Sequence, residues 1–171
     1  MKSVDELAFR DFVETRSPGL LRTAYLLTGD RGLAEDAVQA TLGRVYVSWD
    51  RIRALEAADA YTRRALVREV SSWRRRRRVT HVLTAQVPER PTSSTPDASE
   101  DRDEIRNALL RLPPRQRAVV VLRYFDDLAE ADVASLLGIS TGAVKQHTSR
   151  ALARLRAVLN DESTAIDRSP R

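Results

Sequence analysis

Two groups of side chains in this sequence have the types and spacing to meet a polyanion. Thr141, Lys145, Gln146, Ser149 and Arg150 fall within ten residues and supply hydroxyl, ammonium, amide and guanidinium groups. At the start of a helix, these donors and acceptors suit base edges and phosphates in a major groove. The second group is the arginine run 74–78, joined by Arg63, Arg64 and Arg68. It continues from an amphipathic segment with Trp73 on its apolar side, so its guanidinium groups can be presented in a fixed direction to a phosphate backbone. A solubilising tract would also be arginine-rich, but a tract of that kind needs no apolar stripe.

Catalytic chemistry is poorly served. With no cysteine and only two histidines, His81 and His147, the chain lacks thiolate metal sites, disulfides and a histidine cluster. Glu35 and Asp36 are adjacent, which points them to different sides of a helix and spoils them as a metal pair. Six scattered glycines form no phosphate-binding loop. The expectation is no catalytic residue, no metal and no cofactor, hence not an enzyme.

The elements that position these groups read as helices. Hydrophobic residues at 42% and charged residues at 31% favour a folded chain, and the net charge of +5 favours an anionic partner. Val4, Leu7, Ala8 and Phe12 recur at helical spacing until Ser17-Pro18-Gly19, where Ser17 is expected to cap a new helix ending at Thr28-Gly29-Asp30. A third helix from Leu33 to Trp49 is expected to bury Val38, Leu42, Val45, Tyr46 and Trp49 and to leave Glu35, Asp36, Gln39 and Gly43 on a free polar face. After an irregular stretch from Arg51 to Ala58, Asp59 is expected to cap a helix that buries Leu66, Val70 and Trp73 beneath its arginines.

Between His81 and Ser99 prolines alternate with serine and threonine, a composition too poor in apolar surface to offset ordering entropy. Beyond it, Ile105, Ala108, Leu109 and Leu112 form a helix stopped by Pro113-Pro114, and a second runs from Pro114 to Tyr124. Val133, Ala134 and Leu137, then Gly138, Ile139, Val144, Ala151, Leu152 and Leu155, fit a helix-turn-helix: a small residue where helices cross, a glycine for positive φ, and Ser140 as cap. The fold class is all-α: two small helical domains joined by a flexible linker, the C-terminal one a helix-turn-helix. The expected boundaries are 1–80, a linker 81–100, 101–160 and a disordered tail 161–171. No stretch is apolar or long enough for a signal peptide or a membrane span, so a cytoplasmic location without membrane insertion is expected.

With both domains placed, the chain resembles the extracytoplasmic-function sigma factors of the sigma-70 family, most closely their short actinobacterial-type members. The resemblance is carried by Ala34-Glu35-Asp36-Ala37-Val38-Gln39, by Trp49-Asp50, and by Ala60-Tyr61-Thr62-Arg63-Arg64 through Trp73-Arg74. In the C-terminal domain it is carried by Leu112-Pro113-Pro114-Arg115-Gln116-Arg117, Leu122-Arg123-Tyr124, Val133-Ala134, Leu137-Gly138 and Gly142-Ala143-Val144-Lys145. It implies that the 1–80 domain is region-2-like and the 101–160 domain region-4-like, and that the protein directs core RNA polymerase to promoter DNA. Glu35, Asp36 and Gln39 would meet the β′ clamp helices. The loop Leu55, Glu56, Ala57, Ala58 and Asp59 would hold an unstacked base of the minus-10 element, with Arg63, Arg64 and Arg68 on phosphates. Thr141, Lys145, Gln146, Ser149 and Arg150 would read the minus-35 element, with Arg123 on a phosphate and the domain resting on the β-flap. An anti-sigma factor would be a further partner.

Five positions, in three places, depart from that pattern. Ala40 stands where a carboxylate is frequent, and Gln146-His147-Thr148 replaces a serine-arginine-apolar run. Ala129 stands where a serine or threonine usually caps, a loss worth roughly 1 kcal/mol unless Asp127 substitutes. Two rival readings share the helix-turn-helix. A dimeric ligand-sensing regulator leaves the acidic helix face and the arginine helix unexplained, and a recombinase lacks a placed nucleophile.

Overall fold

A computed structural model describes residues 3–52, 55–83 and 100–167, with side chains described for 6–52, 57–76 and 103–160. The chain divides into two compact units, Met1–Ser93 and Ser94–Arg171. Among the described residues there is no strand. The expected linker at 81–100 falls mostly on residues 84–99, outside the described set.

The first unit packs three helices against one another: α1 (Ser3–Thr28), α2 (Arg31–Ile52) and α3 (Leu55–Leu83). The break expected at Ser17-Pro18-Gly19 is absent, and α1 runs through Pro18 without interruption. Phe12, Leu20, Ala24 and Leu27 lie on both sides of the proline and are all buried, so one continuous apolar face outweighs the local preference. Ser17 caps nothing; its hydroxyl donates back to the Val13 carbonyl at 2.6 Å. The inward residues near the start are Phe9 and Phe12, whereas Leu7 is exposed.

Gly29, at φ 76°, turns the chain out of α1. Asp30 then caps α2 by accepting the Leu33 amide at 2.8 Å. Phe12, Val45, Trp49 and Ala58 form one buried cluster, with the rings of Phe9 and Phe12 each 5.2 Å from Trp49. Tyr46, expected inside, is exposed, its ring set edge-on to Phe9. Threonine and serine take inward positions instead: Thr41 and Thr62 are buried with their hydroxyls on carbonyls one turn back, and Ser48 meets the Tyr61 hydroxyl at 3.1 Å.

The second unit contains α4 (Glu100–Leu110), α5 (Pro114–Val120), a π-helical turn (Val121–Phe125), α6 (Glu130–Leu137) and α7 (Thr141–Asp167). Helices α4, α5 and α6 all pack on α7. Val119, Val120, Val121 and Leu122 are almost completely buried, which explains the β-branched run without a strand. Arg117 accounts for part of the Leu112–Arg117 pattern. Itself buried, it donates to the carbonyls of Leu109, Leu110 and Leu112 at 2.9, 3.0 and 3.2 Å, covering carbonyls at and just beyond the end of α4, of which Leu109 also accepts the Leu112 amide.

Three further expectations change here. Ile105 is exposed rather than part of the α4 stripe. The helix from Pro114 does not stay α-helical to Tyr124 but widens into the π turn, with the Asp126 amide on the Val121 carbonyl at 3.1 Å. And α7 continues to Asp167, into the tail expected to be disordered from 161. No glycine or proline interrupts the sequence between Ala143 and Asp167, so nothing local stops the helix.

Candidate nucleic-acid interface

The turn between α6 and α7 is built as the residue types require. Gly138 ends α6 in the left-handed region at φ 64°, and its amide returns to the Ala134 carbonyl. Ser140 caps α7, its hydroxyl accepting the Ala143 amide at 3.1 Å. Val144 and Ala151 are fully buried against the unit's core, which fixes the rotation of α7. That rotation leaves Thr141, Lys145, Gln146, Ser149 and Arg150 all exposed on the first turns. Lys145 lies 3.8 Å from Glu130 on α6, a loose ion pair between an open lysine and a half-buried glutamate. His147 is half-buried, since it sits one turn from both Val144 and Ala151 on the inward side.

Arg123 is also half-buried. One of its amino groups donates to the Leu128 carbonyl, which ties the π turn to the segment entering α6. That segment carries Asp127 at φ 52° and leads to Ala129, the N-cap of α6, which has no side-chain cap bond; Asp127 does not take over the capping.

In the first unit, Asp36, Gln39, Ala40 and Gly43 are exposed along α2, forming the expected polar face. Glu35 borders it and shares its carboxylate with Arg31 at 2.9 Å. The supposed loop 55–59 is instead the opening of α3, so the expected base-holding pocket is not a loop. Ala58 is fully buried beside Trp49, and Asp59 does not cap a helix but pairs with Arg16 of α1 at 2.7 Å. The physical cause is helical continuity: once Leu55 is helical, Ala58 and Thr62 fall on the core side one turn apart. Ala57 is exposed, and the side chains of Leu55 and Glu56 lie outside the described set.

Arg64, Arg68 and Arg75 stand exposed at i, i+4 and i+11 on one stripe of α3. Arg63 turns toward the packed side and is half-buried. Arg74 donates to the Leu27 carbonyl at the end of α1, and the guanidinium of Arg76 lies 5.9 Å over the Trp73 ring. Sequence reasoning missed Glu69, a carboxylate within the stripe Leu66, Val70 and Trp73. It is buried and meets Arg44 of α2 at 2.9 Å and Arg76 at 3.3 Å. An acid at an inward helical position was the available signal.

Among the described residues there is no cluster of metal-binding side chains and no helix long and apolar enough to cross a membrane. A helix-turn-helix with a cationic outer helix, in a chain that also carries an arginine-lined three-helix unit, defines a DNA-binding transcription protein. Residues 12–80 match the model of sigma-70 region 2, and residues 102–155 match that of sigma-70 region 4. The RNA polymerase sigma-E factor of Streptomyces coelicolor is 38% identical, over 96% of this chain and 95% of that one. The ECF RNA polymerase sigma factor SigL of Mycobacterium tuberculosis is 35% identical over 83% of each chain. Among solved structures, the sigma factor RpoE of Bartonella quintana, in complex with the anti-sigma factor NepR, matches with a TM-score of 0.77 and 25% identity over 89% of this chain and 96% of that one. CnrH, solved with the cytosolic domain of CnrY, shares the fold at a TM-score of 0.66 and 21% identity, over 91% and 90% of the two chains.

The chain belongs to the extracytoplasmic-function sigma factors of the sigma-70 family. Proteins of this class work with core RNA polymerase to begin transcription at promoters.

Proposed function

We propose that the two units divide promoter recognition, with the minus-35 element read by α7 and the minus-10 region held by α3. The observation that carries this reading is the first three turns of α7. The Gly138 turn, the Ser140 cap and buried Val144 leave Lys145, Gln146, Ser149 and Arg150 open together with Thr141. That is the arrangement an outer helix needs to enter a major groove. Arg123 adds a phosphate contact beside its bond to Leu128. In the first unit, Arg64 and Arg68 hold phosphates with Arg63 at their edge, and the opening of α3 lies against the opened strand, with Ala57 rather than Ala58 or Asp59 available to it.

Asp36 and Gln39, with Glu35 at their border, bind the β′ clamp helices, and the second unit rests on the β-flap. On this reading residues 1–80 and 101–160 are the working domains, the protein catalyses no reaction itself, and it acts in the cytoplasm. An anti-sigma factor is a fitting further partner, as NepR is for the structural relative RpoE.

Run-off transcription from a genomic promoter library, using core RNA polymerase with and without the protein, tests the proposal. The expected result is a defined set of new starts that disappears when Lys145 and Arg150 are both changed to alanine. DNA binding without polymerase and no new starts would instead indicate a conventional regulator.

A further inference from the structure

Burying a carboxylate is costly unless it is paired, and one well-placed arginine can provide that pairing. Glu69 has two. Its side chain is 7% exposed, whereas Arg44 and Arg76, which share it, are 58% and 64% exposed. The carboxylate is thus an internal post, and both cations reach outward from it. Arg76 is further fixed over Trp73. Arg44 comes from α2, on the flank that faces α3 and at the border of the face bearing Asp36 and Gln39, since residues 36 and 44 differ by about 80° and residues 39 and 44 by about 140° around the helix.

We infer that Arg44, held by the buried carboxylate of Glu69, is a DNA-phosphate contact that extends the arginine surface of α3 across onto α2. The ligand is the sugar-phosphate backbone of promoter DNA, bound without regard to base identity. Glu69 is a positioning residue: it touches no DNA, accepts a hydrogen bond from Arg76 and holds Arg44 as a close ion pair, confining two guanidinium groups that would otherwise sample many rotamers. The inference rests on the sigma-factor reading of the first unit.

The test is binding of holoenzyme, assembled from core polymerase and the full chain, to two promoter fragments that differ in sequence, across a salt series. Arg44→Ala is expected to weaken binding several-fold at low salt on both fragments. It should also reduce the slope of log K against log salt by about one, the signature of one lost phosphate contact. Arg44→Lys should keep the wild-type slope. Glu69→Gln retains every cation, so it should keep the slope while lowering affinity several-fold.

If Arg44→Ala leaves slope and affinity unchanged and lowers only the melting temperature, Arg44 and Glu69 merely tie α2 to α3 and the inference is overturned. If wild-type protein gives no polymerase-dependent promoter binding at all, the sigma reading beneath it falls first.

Discussion

Gly138 and Ala129 bound helix α6 and have opposite standing as local choices. Gly138 sits at φ 64°, and a Cβ there would meet nothing within 4 Å, so its role is backbone conformation alone and not space. Gly138→Ala should therefore cost roughly 1–2 kcal/mol, and Gly138→Asn distinctly less, because asparagine tolerates the left-handed region. Ala129 has the extended backbone of an N-cap, φ −64° and ψ 154°, without the oxygen a cap supplies. Ala129→Ser should stabilise the second unit by about 1 kcal/mol, which for a domain of this size raises Tm by about 4–8 °C. Thermal unfolding of the three variants checks both signs. If Ala129→Ser gives a protein no more stable than the parent, the strained neighbour Asp127 prevents the cap from closing.

Among the elements, the sharpest misfit between local sequence and structure is α1. A proline inside a helix removes one backbone hydrogen bond and costs about 3 kcal/mol, yet α1 passes through exposed Pro18 because Phe12, Leu20, Ala24 and Leu27 bury one face on both sides of it. Pro18→Ala should recover about 1–3 kcal/mol, read as a higher urea midpoint with an unchanged slope. This also marks where the sequence was legible. The helix-turn-helix could be read residue by residue, from Gly138 to the Ser140 cap and buried Val144, because its determinants are local. The start of α3 could not: Asp59 looks like a cap in isolation, and only the packing of α1 brings Arg16 within 2.7 Å of it. The inward position of Glu69 was legible, but its partner was not, since Arg44 lies 25 positions earlier on another helix. The π turn leaves no mark on the apolar spacing; it shows only in the Asp126 amide reaching back to the Val121 carbonyl.

At the scale of the molecule, the proposed division of tasks follows the two segments that match separate sigma-70 regions, residues 12–80 and 102–155. Asp36 on α2 and Lys145 on α7 belong to different units. Reversing charge at an interface commonly costs at least a factor of ten, so Asp36→Arg should weaken association with core polymerase about tenfold while leaving the choice of promoter unchanged. Lys145→Ala should do the reverse, sparing core association and reducing use of the upstream element. Because the two sites lie in separate units, the double variant's loss in initiation, measured with core polymerase below saturation, should equal the product of the single losses to within about 0.5 kcal/mol. A loss clearly smaller than that product would mean that core docking and upstream recognition are one coupled event, with the second unit contributing to polymerase affinity only through the DNA it holds.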